Sequence, residues 1–171
     1  GNGSTTPADV DNGSSDACGI ASYVLDRMDF TCDDVGDVIV TLTVTDVNSN
    51  SDDCEATITV EDNVKPEALC QNIIVQVSGQ TASAVVDPTQ IDNGSNDACG
   101  IASLVLDRTE FTCEDEGDNP VILTVTDVNG NVETCDAIVT IEDDNVPFDF
   151  GCITDLNVTL DENCSRVITA E

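Results

Sequence analysis

The residues from position 92 to position 101 repeat, almost residue for residue, those from position 11 to position 20. The offset is 81 residues, and it holds from residues 7–62 to residues 88–143. A repeat of this length is one supersecondary unit present in tandem, and it constrains the fold more than any single motif does. It also allows an internal comparison between the residues that both copies keep and those that vary.

Alternating apolar and polar residues mark the strands of each copy. Residues 38–45 alternate in this way, as do residues 121–126 in the second copy, and segments 56–60 and 137–141 follow the same pattern. A period of two that is rich in β-branched residues is typical of half-buried strands. Further strands are predicted at 73–77, 82–86 and 101–106, and no convincing amphipathic helix is seen. About seven short strands per copy predict an all-β fold, namely tandem immunoglobulin-like β-sandwich repeats.

The repeats are incomplete at both ends of the chain. Residues 1–62 are predicted to form a repeat that lacks its first strand, and residues 63–145 a complete repeat. Residues 146–171 align with the first strands of a repeat. This last segment is either the beginning of a third repeat or a donor strand for a neighbouring chain.

The charge of the chain excludes several classes of partner. Its 171 residues include 35 acidic and four basic ones, for a formal net charge of -31. Phosphate binding needs clustered Lys and Arg, so this composition argues against nucleic acid as a partner. An anionic membrane surface is disfavoured for the same reason. No apolar run is long enough for a transmembrane helix. Such acidity in a chain with a clear core pattern favours divalent cations that offset the self-repulsion.

Nine cysteines and no histidine indicate an oxidising compartment. The closely spaced cysteine pairs of structural zinc sites do not occur. We therefore expect disulfides and an extracellular or cell-surface location after secretion.

The spacing of the cysteines and the expected strand order predict their pairing. Cys18 with Cys32, and Cys99 with Cys113, are each predicted to close a loop within one repeat. The first and last strands of an immunoglobulin-like sandwich run side by side and parallel, which predicts a disulfide between Cys70 and Cys135. By the same rule Cys54 needs a first strand that its repeat lacks. Its partner is either Cys152 of a neighbouring chain or a cysteine outside this sequence, and Cys164 has no predicted partner.

Three acidic loops are predicted to meet at one end of a repeat. Calcium takes six to eight oxygen ligands from carboxylates, Asn side chains and backbone carbonyls in flexible loops. At the junction before the second repeat the candidates are Glu61, Asp62, Asn63, Asp92, Asp97, Asp127, Asn129 and Asn131. Corresponding positions elsewhere are Asp11, Asp16, Asp46, Asn48 and Asn50 in the first repeat, and Asp143 and Asp144 in the exiting linker. The alternative is that Asp, Asn and Gly occur here only because they form turns.

Enzymatic chemistry finds little support in this sequence. It has no histidine for general base catalysis, and it has no Gly-rich phosphate loop. Carboxylates are abundant, but they recur at every junction, which suits metal binding or solvation better than one active site. We expect no enzymatic activity.

The motifs resemble a known family. The sequence Asp-Asn-Gly-Ser-x-x-Ala-Cys-Gly-Ile-Ala-Ser at 11–22 and 92–103, with Thr-Val-Thr-Asp-Val-Asn at 43–48 and 124–129, resembles hyalin-type (HYR-like) repeats. The most similar of these are repeats of giant secreted surface adhesins of Bacteroidota. The resemblance implies an immunoglobulin-like fold, export to the cell surface and a role in adhesion or extracellular filaments. The acidic linkers also resemble, more loosely, the calcium-binding linkers of cadherins.

Together these observations predict a structural repeat of an extracellular adhesin stalk or filament, rigidified by disulfides and by calcium between repeats. Its expected partners are neighbouring copies of itself. The alternative is an extracellular module that binds a carbohydrate or a protein, although aromatic residues are only 3% of the chain. A third possibility is an accessory domain of a secreted enzyme.

Overall fold

The structure is a computed structural model, and it describes residues 1–77 and 83–143. Several predictions concern residues outside these ranges. They are the third-repeat segment 146–171, its cysteines Cys152 and Cys164, and the ligand candidate Asp144. We call residues 1–62 the first repeat and, within the described ranges, residues 63–143 the second repeat, which are the predicted bounds.

The first repeat contains five strands in two sheets. They are β1 (Asn2–Ser4), β2 (Ile20–Leu25), β3 (Asp29–Thr31), β4 (Gly36–Asp46) and β5 (Ser51–Val60). Strands β2, β4 and β5 form one sheet in that order, and β1 pairs with β3 in the other. All of these pairings are antiparallel.

The second repeat has the same strands and one more. They are β6 (Ile73–Val77), β7 (Ser83–Val85), β8 (Ile101–Leu106), β9 (Glu110–Thr112), β10 (Gly117–Asp127) and β11 (Val132–Asp143). One sheet has the order β6-β11-β10-β8, and β7 pairs with β9 in the other. The extra strand β6 lies parallel to β11, with Ile73 opposite Val139. This arrangement confirms the predicted all-β, immunoglobulin-like sandwich.

The second repeat, which has the extra strand β6, buries a larger hydrophobic core than the first repeat. In the second repeat, inward-facing residues of both sheets surround Phe111, which is fully buried. The buried set is Val77, Val86, Ile91, Leu106, Phe111, Val121, Leu123, Val125, Ala137, Val139 and Ile141. The first repeat buries Leu25, Phe30, Val40 and Leu42. Within the described residues β5 has no neighbour on its outer edge, so its inward residues Ala56, Ile58 and Val60 stay partly exposed.

Two one-turn helices were not anticipated from the sequence. They are α1 (Pro7–Val10) and α2 (Pro88–Ile91), and each has Pro at the first turn. Asp87 caps α2 by accepting a hydrogen bond from the Thr89 N–H at 2.9 Å. The residues Asp87-Pro88 are a recognisable helix start, but a single turn has no amphipathic period to detect.

The structure contains the predicted disulfide between Cys70 and Cys135, with Cα atoms 5.8 Å apart. Cys70 precedes β6 and Cys135 lies near the start of β11, so the parallel pairing of these strands brings the two residues together.

The predicted pairs Cys18–Cys32 and Cys99–Cys113 are wrong. The second disulfide of the structure joins Cys32 to Cys99, with Cα atoms 5.2 Å apart, and therefore links the two repeats. Cys18, Cys54 and Cys113 are exposed and have no partner among the described residues.

The strand register explains this error. Cys18 precedes β2, whose first residue Ile20 lies opposite Asp46 at the end of β4. Cys32 lies just before Gly36, at the other end of β4. At about 3.3 Å per residue these ends are roughly 30 Å apart, far beyond the reach of a disulfide. The same register places Cys99 and Cys113 at opposite ends of the second repeat.

Candidate metal site at the repeat junction

Each repeat has two distinct ends. The entry end of the second repeat consists of the loop 92–100 and the hairpin loop 127–131, and the linker from the first repeat arrives there. The exit end is where β10 begins and β11 finishes, with Gly117 opposite Ile141. The repeat junction is the entry end of the second repeat together with the linker 61–66.

The linker is attached to the second repeat by polar contacts along its length. The side-chain Nδ2 of Asn131 donates to the backbone carbonyl of Asp62 at 3.0 Å. Lys65 forms an ion pair with Glu133 at 3.2 Å. Farther along, the Glu67 N–H donates to the carbonyl of Asn96 at 2.8 Å. Pro66 is buried between these contacts, so the linker follows one defined path across the entry end.

This path brings two carboxylates from different parts of the chain together. One ligand atom each from Asp62, Asp97 and Cys99 lie within 4.8 Å of one another, and all three residues are half-buried. Cys99 is part of a disulfide, and only a thiolate sulfur is an effective metal ligand. The chemistry of this group therefore comes from the oxygens of Asp62 and Asp97, one in the linker and one in the loop 92–100.

Among the described residues, two buried oxygens of the junction have no hydrogen-bond partner. They are Oδ2 of Asp62 and Oδ1 of Asn129. The other carboxylate oxygen of Asp62 accepts a hydrogen bond from the Val64 N–H at 3.1 Å. Burying an unpartnered acceptor costs about 1–3 kcal/mol, and more when the group is charged. A cation bound at the junction would supply the partner that the Asp62 oxygen lacks.

Asp127 is held by its own hairpin loop, and its predicted role as a ligand stays a prediction. Its side chain is only 1% exposed. Its Oδ1 accepts hydrogen bonds from the N–H groups of Asn129 at 2.9 Å and Asn131 at 2.8 Å, and its Oδ2 accepts one from the Asn131 side chain at 2.8 Å. Burial raises the pKa of Asp127. The hydrogen bonds together lower this pKa by more than burial raises it, so the net pKa lies below the ordinary value. Asp127 thus holds the hairpin loop in the shape that presents Asn129.

Glu61, Asn63 and Asp92 lie at the junction but contact one another or their own loop. Asn63 donates to the carboxylate of Glu61 at 3.1 Å, and both side chains are exposed. Asp92 accepts hydrogen bonds from the Ser95 N–H at 2.9 Å and the Gly94 N–H at 3.3 Å. A role for these three residues as ligands stays a prediction.

The first repeat has an entry end of the same construction, and no linker contacts it among the described residues. Asp46 accepts the same three hydrogen bonds as Asp127, from the side chain of Asn50 and from the N–H groups of Asn48 and Asn50. The side chain of Asn50 contributes most to holding the pKa of Asp46 below its ordinary value. Asp11 and Asp16 accept backbone hydrogen bonds within their loop. The predicted ligands Asp11, Asp16, Asp46, Asn48 and Asn50 therefore occupy the corresponding positions, but no carboxylate equivalent to Asp62 faces them among the described residues.

The exit end of the second repeat carries an aspartate at the position that corresponds to Asp62. The backbone of Asp143, the counterpart of Asp62, ends β11. Its predicted role as a ligand at a following junction stays a prediction.

Comparison with known proteins gives a likeness in structure, and no match to a family model or a curated protein. No family model matches it, so the likeness to hyalin-type repeats stays a prediction. No curated protein matches it either. A structure of mouse clustered PcdhgC3 EC1-3, a set of cadherin repeats, is similar at 12% sequence identity and a TM-score of 0.33, over 73% of this chain and 44% of that chain. The chain thus spans less than half of that structure, and a TM-score of this size identifies no ligand, partner or function.

Proposed function

We propose that this chain is a structural repeat segment of an extracellular adhesin stalk or filament, rigidified by disulfides and by calcium at the repeat junction. The observation that carries the proposal is the junction itself. A disulfide between Cys32 and Cys99 crosses it. Beside this disulfide the carboxylates of Asp62 and Asp97 lie close together, and Oδ2 of Asp62 is buried without a partner among the described residues. Both features act between the repeats, where a stalk needs stiffness.

Calcium is the cation that suits these donors. All of them are oxygens, and they lie in loops rather than in a rigid cage, as calcium sites require. The side chains of Asp62, Asp97 and Asn129 would hold the ion, with backbone carbonyls and water completing six to eight ligands. A divalent ion would also reduce the repulsion within a chain of net charge -31.

The disulfides support an oxidising, extracellular location for this segment. Among the described residues, no helix is long and apolar enough to cross a membrane. We propose a non-enzymatic role, because the acidic side chains of the junction hold turns and the linker in place instead of lining a substrate cleft. We also propose that one repeat ends near residue 62 and the next near residue 145.

The test is calcium binding by the oxidised chain. We expect millimolar calcium to raise the melting temperature, and small-angle scattering to show one extended shape with reduced flexibility between repeats. The double variant Asp62→Asn with Asp97→Asn should lose this response. Asp16→Asn is the matched control, since Asp16 is the counterpart of Asp97 on an entry end that no linker contacts within the described residues, and it should keep the response.

Magnesium serves as the ion control, because it demands a stricter octahedral geometry than these loops offer. A chain that binds no calcium, or binds it equally well in the double variant, would contradict the proposed metal site. Binding of a glycan or protein ligand by such a chain would then favour the alternative of an extracellular binding module.

A further inference from the structure

The disulfide between Cys32 and Cys99 joins non-equivalent positions of the two repeats. At the offset of 81 residues, the counterpart of Cys32 in the second repeat is Cys113, and the counterpart of Cys99 in the first repeat is Cys18. The bond therefore links the exit end of one repeat to the entry end of the next. Cys18 and Cys113 are the two unused halves of the same link, and both are exposed.

The local structure around the two exit-end cysteines is the same. Cys32 and Cys113 each begin a single turn of 3-10 helix directly after a short strand. In both repeats an aspartate of this turn, Asp34 or Asp115, is paired with an arginine from the loop before the short strand. Cys113 is therefore held in the backbone conformation that places Cys32 in a disulfide.

The two entry-end cysteines also match. The N–H of Cys18 donates to Oδ1 of Asp16 at 2.7 Å, and the N–H of Cys99 donates to Oδ1 of Asp97 at 2.7 Å. The glycine that follows each cysteine has a left-handed backbone, with φ of 108° at Gly19 and 107° at Gly100. The backbone around Cys18 is thus fixed in the same way as the backbone around Cys99, which already forms the disulfide to Cys32.

We infer that the Cys32–Cys99 link recurs at every junction of the array. Cys113 forms a disulfide with the entry-end cysteine of the following repeat, and Cys18 forms one with the exit-end cysteine of the preceding repeat. The partner in both cases is a further copy of this same repeat. Because the contact is head-to-tail and joins non-equivalent positions, it leaves an unused half-link at each end and can continue from repeat to repeat along an array. The inference shares the tandem arrangement of the proposed function but does not depend on calcium.

Each link forms by oxidation of two thiols. The pair loses two protons and two electrons, and a small-molecule or protein disulfide accepts them and is reduced to two thiols. The exchange passes through a mixed disulfide, so the exposure of Cys18 and Cys113 is what the reaction requires.

This ladder of disulfides would change how the array carries tension. Within one repeat the covalent path runs from the entry-end to the exit-end cysteine, which are 14 residues apart in both copies (from 99 to 113 and from 18 to 32). At about 3.6 Å per residue an unfolded repeat could lengthen to only about 50 Å, against about 290 Å for a full repeat of 81 residues. The disulfides thus prevent tension along the array from unfolding most of each repeat.

The experiment uses two complementary variants of the chain. Both carry Cys54→Ser, Cys152→Ser and Cys164→Ser, which leaves the junction cysteines and the Cys70–Cys135 pair. One variant adds Cys18→Ser and keeps Cys113, and the other adds Cys113→Ser and keeps Cys18. Each variant is incubated alone, and an equal mixture of the two is incubated in parallel, in a glutathione redox buffer. All samples are then analysed by non-reducing gels and by mass spectrometry of disulfide-linked peptides.

We expect the mixture to form a disulfide-linked dimer that contains a Cys18–Cys113 peptide pair, and each variant alone to stay monomeric. Three results would overturn the inference: no dimer in the mixture, an equal amount of dimer from either variant alone, or a Cys18–Cys113 bond within one wild-type chain. The Cys32–Cys99 peptide pair reports folding in every sample. Repeating the mixture with a calcium chelator separates the two proposals, because the dimer should form there even if the calcium site fails its own test.

Discussion

Asn131 donates its side-chain Nδ2 to two acceptors, the backbone carbonyl of Asp62 at 3.0 Å and the carboxylate of Asp127 at 2.8 Å. Its counterpart Asn50 makes only the second type of bond, to Asp46 at 2.7 Å. One amide therefore both shapes the hairpin loop of the second repeat and attaches the linker to it. This double role makes the entry end a fixed platform on which the two repeats meet.

Replacing Asn131 with Ala should cost more than replacing Asn50 with Ala. The first change leaves part of a buried carboxylate unpartnered and releases the linker, which should lower the free energy of unfolding by about 2–3 kcal/mol. The second change affects a more exposed hairpin and should cost about 1 kcal/mol or less. Urea unfolding of the two variants measures the difference. Equal losses would show that the linker contact contributes nothing.

The disulfide between Cys70 and Cys135 should be a major source of stability for the second repeat. It joins residues separated by 65 positions, and closing a loop of that length restricts the unfolded chain by about 4 kcal/mol. The double variant Cys70→Ala with Cys135→Ala should lose about this amount in denaturant unfolding. Cys54→Ala, at an exposed cysteine, should change stability by no more than about 0.5 kcal/mol. A loss in the double variant no larger than this control would contradict the loop-closure argument.

Phe111 should be the most sensitive core position. Its side chain is fully buried among ten other buried residues, and Arg108 stacks over the ring at 4.4 Å. Phe111→Ala should destabilise the second repeat by about 3–5 kcal/mol. Phe30→Ala should cost less in the first repeat, whose small core can collapse more easily around a cavity. Calorimetric melts of both variants test the order, and a larger effect at Phe30 would contradict it.

Asp115 should make the second repeat sensitive to acid. Its carboxylate is paired with Arg108 and accepts a hydrogen bond from the Thr112 N–H, and these contacts lower its pKa from 3.8 to about 2. Because the folded pKa is the lower one, this stabilisation is complete above about pH 4 and is lost as the pH falls towards 2. The melting temperature of Asp115→Asn should therefore lie below that of the unchanged chain at pH 6, and the two should converge near pH 2. Glu114→Gln, at the exposed neighbouring position, is the control. A gap that stays constant from pH 6 to pH 2 would contradict this account.

Ser49 should be a site where glycine stabilises the chain. It has a left-handed backbone with φ of 70°, and its counterpart in the second repeat is Gly130 with φ of 92°. A side chain in this region costs about 1–2 kcal/mol. We expect Ser49→Gly to raise the free energy of unfolding by about 1 kcal/mol, and Gly130→Ala to lower it by a similar amount. Thermal unfolding of both variants measures the two shifts, and changes of the same sign would contradict the shared turn geometry.

Much of the fold could be predicted from the sequence, because a strand of alternating residues is recognisable from its local pattern. The alternation in 38–45 and 121–126 predicted β4 and β10, although their ends extended farther because backbone pairing continues beyond the apolar positions. The parallel neighbours β6 and β11 followed from the fold class, and with them the pairing of Cys70 with Cys135. The sequence also predicted that the linker with Asp62 and the loop with Asp97 lie at the same end of the repeat, since alternate connections between antiparallel strands lie at the same end.

The sequence by itself determined the repeat, its strands and the residue types that gather at each junction, because these depend on local patterns and on chain order. Only the tertiary structure decided which partners the carboxylates of the loops and the remaining cysteines take. Asp127 proved to be enclosed by its own hairpin loop, and Cys32 proved to belong with Cys99 in the next repeat. A segment of 14 residues is long enough either to close a small loop or to span the whole length of a sandwich. Which of the two occurs depends on the strand register, and here the register places Cys18 and Cys32 at opposite ends of the first repeat.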